Sequence, residues 1–508
     1  MGKLPEISLR ETDLALSEGR EIALIDVRQR SLFAQGHLPR SASMPLERLE
    51  IEAARLIPSR DAPICLIGDG PDSGLSKRAC KSLSSIGYRS AVILKGGASS
   101  IASCGRRLWR GTGALSWALA RWAAKAYGIP AISSASLLER HSSALIVDTR
   151  GRLDFEGGSI AESLSAPGLE AVSRLFAQDI DPRRLVVIVG RPALSALVAQ
   201  SLICAGLPNP VFALSEGIEG WRENGLSLVR GSKRLLPSPS PGGLLALEAP
   251  SRRLIDLFSL RAVDWKGLSP LSEDSSKSLR LIDLRSEEEY LAGHPPGFSS
   301  VPSCYLLSNL EGSLPVCGCA VVLYDDVKLR ALSAAAWLRQ AGWERTYCLI
   351  DPKAPKEEGE ERDFTERTFL TYLRPRISVA RDSGNLAIVD VTPGQGRPRP
   401  PAVLRAQRSG LPKALADFEA KNPEAMVALA SEDLLDALLC ASELLRQDRV
   451  YPVLGEALAP WPEPEKEEPL PAADDLAGLL GPSAGRLPPD SRPISQDEPE
   501  YEQFKKFS

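Results

Sequence analysis

Short apolar runs that end on aspartate recur along the chain: Ala23-Leu-Ile-Asp26, Leu145-Ile-Val-Asp148, Leu281-Ile-Asp283 and Ala387-Ile-Val-Asp390. Their spacing is close to one domain length, so the repeat is read as four copies of one unit. Each copy has a second half, in which an apolar strand leads through a loop and a helix to another apolar strand. The strands are Pro63–Ile67 and Ala91–Leu94, Leu185–Val189 and Val211–Leu214, Ala320–Tyr324 and Tyr347–Ile350, and Ala425–Leu429 and Tyr451–Leu454. Continuous apolar strands alternating with helical stretches predict parallel sheets buried on both faces. Each copy is therefore expected to be an open α/β domain, a mostly parallel sheet flanked by helices, with its site at the carboxyl ends of the strands.

The repeat sets the expected boundaries at 1–112, 128–231, 253–355 and 373–462, with a tail over 463–508. Leu236-Pro-Ser-Pro-Ser-Pro-Gly-Gly243 reads as a hinge between copies two and three, and Lys353 to Arg362 as a solvated connection. Beyond Trp461 the sequence is rich in Pro, Glu and Asp without a sustained apolar period, which predicts disorder, with room for a short helix near Asp475–Leu480.

Composition narrows the functional classes. The 508 residues carry 61 Lys+Arg against 65 Asp+Glu, a net charge of -4, which leaves no domain-wide basic footprint for nucleic acid. The most apolar stretch, Gly113 to Ala131, is interrupted by Arg121 and Lys125, and the amino terminus has no apolar signal core, so no membrane association is expected and the cytoplasm is the expected compartment. Nine cysteines fit a reducing environment better than a disulfide framework. Three histidines, His37, His141 and His294, are too few to suggest a His-built metal site.

After the aspartates the copies stay alike. Asp26-Val-Arg28, Asp148-Thr-Arg150 and Asp283-Leu-Arg285 share Asp-x-Arg, and Gly36-His37-Leu-Pro39 matches Gly293-His294-Pro-Pro296. Copy two has Gly158-Ser159 where Gly-His would stand. These residues resemble the first motif of the rhodanese sulfurtransferases, Asp-x-Arg followed by Gly-His-Ile-Pro-Gly-Ala. The stretch Ala199 to Val211 with Gly220-Trp221, and Ala336 to Trp343, resemble domains two and three of bacterial proteins with four tandem rhodanese domains. The resemblance extends over roughly residues 1–460 and is weakest in copy four, which lacks both Asp-x-Arg and Gly-His.

The resemblance implies sulfane sulfur transfer through a cysteine persulfide, with thiosulfate or a persulfide as donor. The thiolate of such an enzyme needs a lowered pKa, supplied by loop amides and a helix N-terminus facing the sulfur. The family loop is typically Cys-x-x-Gly-x-Arg-Ser, with the nucleophile about 17 residues before the glycine that follows the helix. That count lands on Val189 in copy two and Asp325 in copy three; in copy one it gives Gly70, or Gly68 by strand end, and in copy four the strand ends at Ala430-Ser431. None is cysteine. Copy two, lined by Asp148, Arg150, Val189, Arg191 and Ser195, is expected to be the best-kept ancestral site. The pairs Asp26/Arg28 and Asp283/Arg285, with His37 and His294, are expected to fix the loop rather than to react.

Other thiol chemistry is weaker. Cys65, Cys80, Cys204, Cys348 and Cys440 read as small core residues. Cys304, Cys317 and Cys319 are expected to be more exposed, and Cys317-Gly-Cys319 is a weak redox or metal candidate with no second pair to complete four ligands. Cys-x5-Arg, the phosphatase spacing of related folds, occurs at Cys104…Arg110 and Cys440…Arg446, but neither follows a strand. Gly68-Asp-Gly-Pro-Asp-Ser-Gly74 reads as a turn, since Asp69 and Asp72 would repel an anion from its amides. The expectation is a degenerate sulfurtransferase acting as a binding or scaffold module in sulfur metabolism, without cofactor or metal, whose partners are a small sulfur anion or persulfide donor or an unidentified protein. The alternatives are an active enzyme using a non-standard cysteine and a purely structural interaction protein.

Overall fold

The computed structural model describes residues 4–70, 74–274 and 277–358, together with the strands Leu386–Asp390, Leu404–Arg405, Met426–Ser431 and Val450–Leu454. Copy one contains β1 (Glu6–Ile7), β2 (Ile22–Asp26), β3 (Ala42–Ser43), β4 (Ile64–Ile67) and β5 (Ala91–Leu94). Copy two contains β6 (Ala131–Ile132), β7 (Leu145–Asp148), β8 (Leu164–Ser165), β9 (Val186–Val189) and β10 (Val211–Leu214). Copy three contains β11 (Arg261–Val263), β12 (Leu279–Asp283), β13 (Ser299–Ser300), β14 (Val316–Cys317), β15 (Ala320–Tyr324) and β16 (Thr346–Leu349). The last four strands are β17 (Leu386–Asp390), β18 (Leu404–Arg405), β19 (Met426–Ser431) and β20 (Val450–Leu454).

The second and third sheets run β6-β10-β9-β7-β8 and β11-β16-β15-β12-β13, and the first follows the same order, with β3 paired to β2. The last sheet, β18-β17-β19-β20, repeats the β8-β7-β9-β10 order. Within each copy every pairing between these strands is parallel, as the uninterrupted apolar strands require. The exception joins two copies: β14 of copy three adds antiparallel to β2 of copy one, Val316 opposite Ala23 and Cys317 opposite Ile22.

Helices cover the sheets. Pro192–Ala205 is apolar nearly all round because it is enclosed between its own sheet and the helices Ala114–Tyr127 and Glu248–Phe258. Two polar side chains tie the copies across this core. Tyr127 Oη donates to Gln340 Oε1 at 2.7 Å, and Trp337 Nε1 donates to Ser201 Oγ at 2.9 Å. The apolar stretch after Gly113 is thus a buried connecting helix. Among the described residues no helix is long and apolar enough to cross a membrane.

The connections differ from expectation. Leu236, at the start of the expected hinge, is buried, and its N–H donates to Ser165 O at 3.0 Å while Arg174 holds its carbonyl. The first residue of the segment thus continues the edge of the second sheet beside Ser165. At the end of copy three, Glu357 exchanges backbone hydrogen bonds with His294 at 2.8 and 2.9 Å, so the start of the charged connection is fastened too. The tail from 463, Cys440 and Arg446 lie outside the described residues.

Candidate functional site

The Asp-x-Arg motif forms the same clamp three times. Arg28 Nε and Nη2 grip Asp26 at 3.0 and 2.7 Å, and Nη2 also donates to Gly36 O at 2.7 Å. Arg150 holds Asp148 at 3.1 and 2.7 Å and Gly158 O at 2.6 Å; Arg285 holds Asp283 at 3.0 and 2.7 Å and Gly293 O at 2.6 Å. Each clamp pins the strand end to the turn after the next helix. The guanidinium is used internally, in the bidentate geometry that fits a carboxylate. Burial pushes the Asp26 carboxyl above its usual range, and Arg28 pulls it part of the way back.

The histidines are structural by the same test. His37 stacks on Phe33 at 3.8 Å between ring centres, with Nδ1 3.0 Å from Phe33 O. His294 stacks on Tyr290 at 3.7 Å, with Nδ1 3.0 Å from Tyr290 O. Burial, aided by Arg28, lowers His37 to about 4 against the carbonyl's pull. Ser159 makes the backbone bridge in copy two, to Val229, that His37 makes to Trp109 and His294 to Glu357.

Strand register aligns the four copies independently of residue counting. Asp26 lies level with Ile67, Asp148 with Val189, Asp283 with Tyr324 and Asp390 with Ala430. The next residue along is Gly68, Gly190, Asp325 or Ser431. Gly190 is thus the register equivalent of Gly68 and Asp325, while Val189, the position reached by counting, is the last residue of β9, fully buried in the apolar cluster with Leu214 and Ile218. Counting back from the glycine and reading the register give neighbouring residues because the loops differ in length. Residues 190–191 precede the helix in copy two, 325–328 in copy three and 68–74 in copy one.

In copy two the position is closed. Thr149 Oγ1 donates to Val189 O at 3.0 Å, and a Cβ at Gly190 would stand 2.7 Å from that hydroxyl. On the other side Ile218 N–H donates to Gly190 O, and Gly217 packs so tightly that a Cβ there would meet the same carbonyl at 2.6 Å. Ser195, expected to line the site, is fully buried and gives its hydroxyl to Arg191 O at 3.0 Å within the first turn of the helix. Arg191 is exposed. In copy one, Gly68 O and Asp69 O accept from Ala98 N and Ser99 N at 2.8 and 3.1 Å, so this turn offers carbonyls to the Gly97–Ser103 helix. Residues 71–73 lie outside the described residues.

Copy three keeps the most of a cradle and fills it with its own charge. Asp325 is fully buried at the N-terminus of the helix Leu329–Gln340, where Oδ2 accepts the Arg330 N–H at 2.9 Å. Its Oδ1 faces Arg330 Nε at 3.2 Å, an ion pair without the alignment of a hydrogen bond. Arg330 reaches on to Glu289 at 3.1 and 3.3 Å, and Arg285 meets Asp326 at 3.4 Å. Burial lifts Asp325 to about 7; Arg330 opposes this, while Asp326 and Glu289 add to it. Burial works against the Arg330 charge as well, but Asp325 and Glu289 outweigh it and raise its pKa. Read from Asp325, Arg330 occupies the arginine place of Cys-x-x-Gly-x-Arg-Ser, and Lys328 the glycine place. Lys328 indeed has φ 68 and ψ -43, the centre of a γ-turn closed by Leu329 N donating to Val327 O at 2.8 Å. The sequence reading missed Arg330 and Lys328, although the motif spacing counted from Asp325 identifies both.

The cysteines also differ from expectation. Cys304, Cys317 and Cys319 are buried, at 4%, 5% and 1% exposure, under the helices and strands that join copy three to its neighbours. Burial pushes Cys65 and Cys304 up to about 12, the opposite of thiolate activation. Among the described cysteines Cys104 is exposed, but it follows the helix Gly97–Ser103 at the carbonyl end, where no ring of amides can receive an anion. Among the described residues no group of three or more His, Cys, Asp or Glu side chains is arranged to hold a metal.

Comparison with known proteins agrees with this geometry. The profile of the rhodanese-like domain matches residues 10–104, 133–224 and 269–351. A thiosulfate sulfurtransferase from Pseudomonas aeruginosa aligns over 99% of this chain and 96% of its own, with 26% identity and a TM-score of 0.78. The structure of EanB with ergothioneine covers 71% of this chain at 14% identity and a TM-score of 0.24, and the Alr3790 protein of Anabaena sp. covers 21% at 24% identity and 0.20, over 100% and 82% of their own chains. Among curated proteins nothing matches. With the profile matching just over half of its residues in three separate segments, the chain belongs to the rhodanese family.

Proposed function

We propose that this chain is a degenerate member of the family, a cytoplasmic protein of sulfur metabolism whose copies serve as binding or scaffold modules and do not carry sulfur covalently. The supporting observation is the register: the residues that follow the partners of the four strand-end aspartates are Gly68, Gly190, Asp325 and Ser431, and none has a thiol. A persulfide needs a sulfur nucleophile seated among amides, and glycyl, carboxylate and hydroxyl groups cannot form one. The relation to a thiosulfate sulfurtransferase makes a small sulfur anion or a persulfide the ligand class that the ancestor handled.

Thiosulfate:cyanide transfer by the intact protein tests this. The rate should not rise above that of the protein-free reaction. A second reading, an active enzyme with an unusual nucleophile, is favoured only by the exposure of Cys104. Saturable transfer that disappears in Cys104→Ser would establish that reading and end the first.

A further inference from the structure

Copy three docks on the helix Ala114–Tyr127, which connects copies one and two, through crossed helix caps. That helix starts after Gly113, which has φ 68 and no side chain to cap the free amides. Glu311 of copy three supplies the cap, its Oε1 accepting the Leu115 N–H at 3.3 Å. In return Ser116 Oγ accepts the Leu310 N–H, at the start of the Leu310–Ser313 helix, at 3.0 Å. Any Cβ on Gly113 would collide with the Ser308 carbonyl, so the approach depends on glycine there. Glu311 is 3% exposed, and its Oε2 has no hydrogen-bond partner.

We propose that this joint is a proton-sensitive clasp between copy three and the connecting helix, closed while the Glu311 carboxyl is neutral and loosened as it ionises. A carboxylate buried with one oxygen unpaired is costly, whereas the neutral acid still accepts the Leu115 N–H. Burial lifts Glu311 to about 7, while the helix amides and Arg40 pull it back. Arg40 is the cation facing it from copy one, itself bound to Ala341 O at 2.5 Å. The connecting helix has no ionisable side chain before Arg121. The neighbouring Ser303–Ser308 helix carries Cys304 and Tyr305, both pushed upward and so neutral across the relevant range. Copy one also buries Glu47 and Glu50.

The sign follows from the raised pKa. The stabilisation is complete below the unfolded value near 4.5 and is lost as pH rises through about 7. Hydrogen–deuterium exchange of the intact protein, read as protection factors for peptides spanning 113–127, tests it at pH 6 and 8.5. Protection in the wild type should fall roughly ten-fold over this range, beyond the intrinsic rate change. Glu311→Gln, which keeps the acceptor and the volume, should abolish the fall. Ser116→Ala should lower protection equally at both pH values, confirming that these peptides report on the joint. Pairs of pH profiles that stay parallel in wild type and Glu311→Gln would overturn the proposal, as would a fall abolished by Glu47→Gln or Glu50→Gln instead. A wild type with no pH dependence would overturn it without any variant.

Discussion

Replacing Arg330 with Met probes whether the copy-three cradle is a closed charge cluster. Asp325 and Arg330 are both buried, with 0% and 4% of their side chains exposed, and face each other at 3.2 Å. At an effective dielectric of about 20 that contact is worth about 5 kcal/mol before desolvation. The Glu289 contact at 3.1 Å counts for less, because 35% of that side chain is exposed. Removing the guanidinium leaves Asp325 as an uncompensated buried carboxylate, a change that costs about 3–5 kcal/mol. The double variant Asp325→Asn/Arg330→Met removes both charges and keeps an acceptor for the helix N-terminus, so most of the loss should return. The single variant should also suffer less as pH falls from 8 to 5. Without Arg330 the Asp325 carboxyl rises from about 7 and escapes its charge by binding a proton. Urea unfolding of the intact chain, followed by tryptophan fluorescence, measures this. A single variant within 1 kcal/mol of wild type, or a double variant no better than the single, would refute the reasoning.

Three further outcomes follow from the same structure. Lys328→Gly should stabilise copy three by about 1 kcal/mol, since it relieves a left-handed γ-turn at the cost of one exposed contact to Glu248; a urea midpoint shifted downward would contradict this. His37→Gln should flatten the acid limb of stability. A histidine lowered from 6.5 to about 4 contributes stability that is present above 6.5 and lost as pH falls toward 4, up to about 3 kcal/mol, and thermal melts between pH 7 and 4 read the difference. Gly190→Cys should destabilise copy two by about 1–3 kcal/mol through the clash with Thr149. Adding Thr149→Ala should restore most of that stability without creating cyanolysable sulfur, because two loop residues cannot form an amide bowl; sulfur gained by the double variant would show that the cradle survives.

The sheets were legible in the sequence because their strands are buried on both faces and read as unbroken apolar runs ending in aspartate. The Asp-x-Arg clamps of copies one and three were legible too, since the local motif carries aspartate, arginine and the turn carbonyl, whereas Asp148 and Arg150 of copy two were expected to line a site and form the same clamp. Loop geometry was not. Counting from Gly206 reaches Val189, and only the pairing of Asp148 with Val189 shows that Gly190 is the residue equivalent to Gly68 and Asp325. Burial of Cys304, Cys317 and Cys319 was hidden because it comes from other copies: Cys304 packs on Gly168 of copy two, and β14 joins the sheet of copy one. Periodicity within one copy contains no trace of such neighbours. The Leu236–Gly243 segment has hinge composition, yet Ser165 and Arg174 anchor its first residue.

Persulfide mass spectrometry of the intact protein after exposure to thiosulfate measures covalent sulfur loading directly. All nine cysteines should be recovered without an added sulfur, because no thiol follows the register partner of a strand-end aspartate and burial raises the thiols of Cys65, Cys80, Cys204, Cys304, Cys319 and Cys348. One cysteine carrying a sulfane sulfur that is released stoichiometrically by cyanide would contradict the claim that this chain has lost covalent sulfur chemistry.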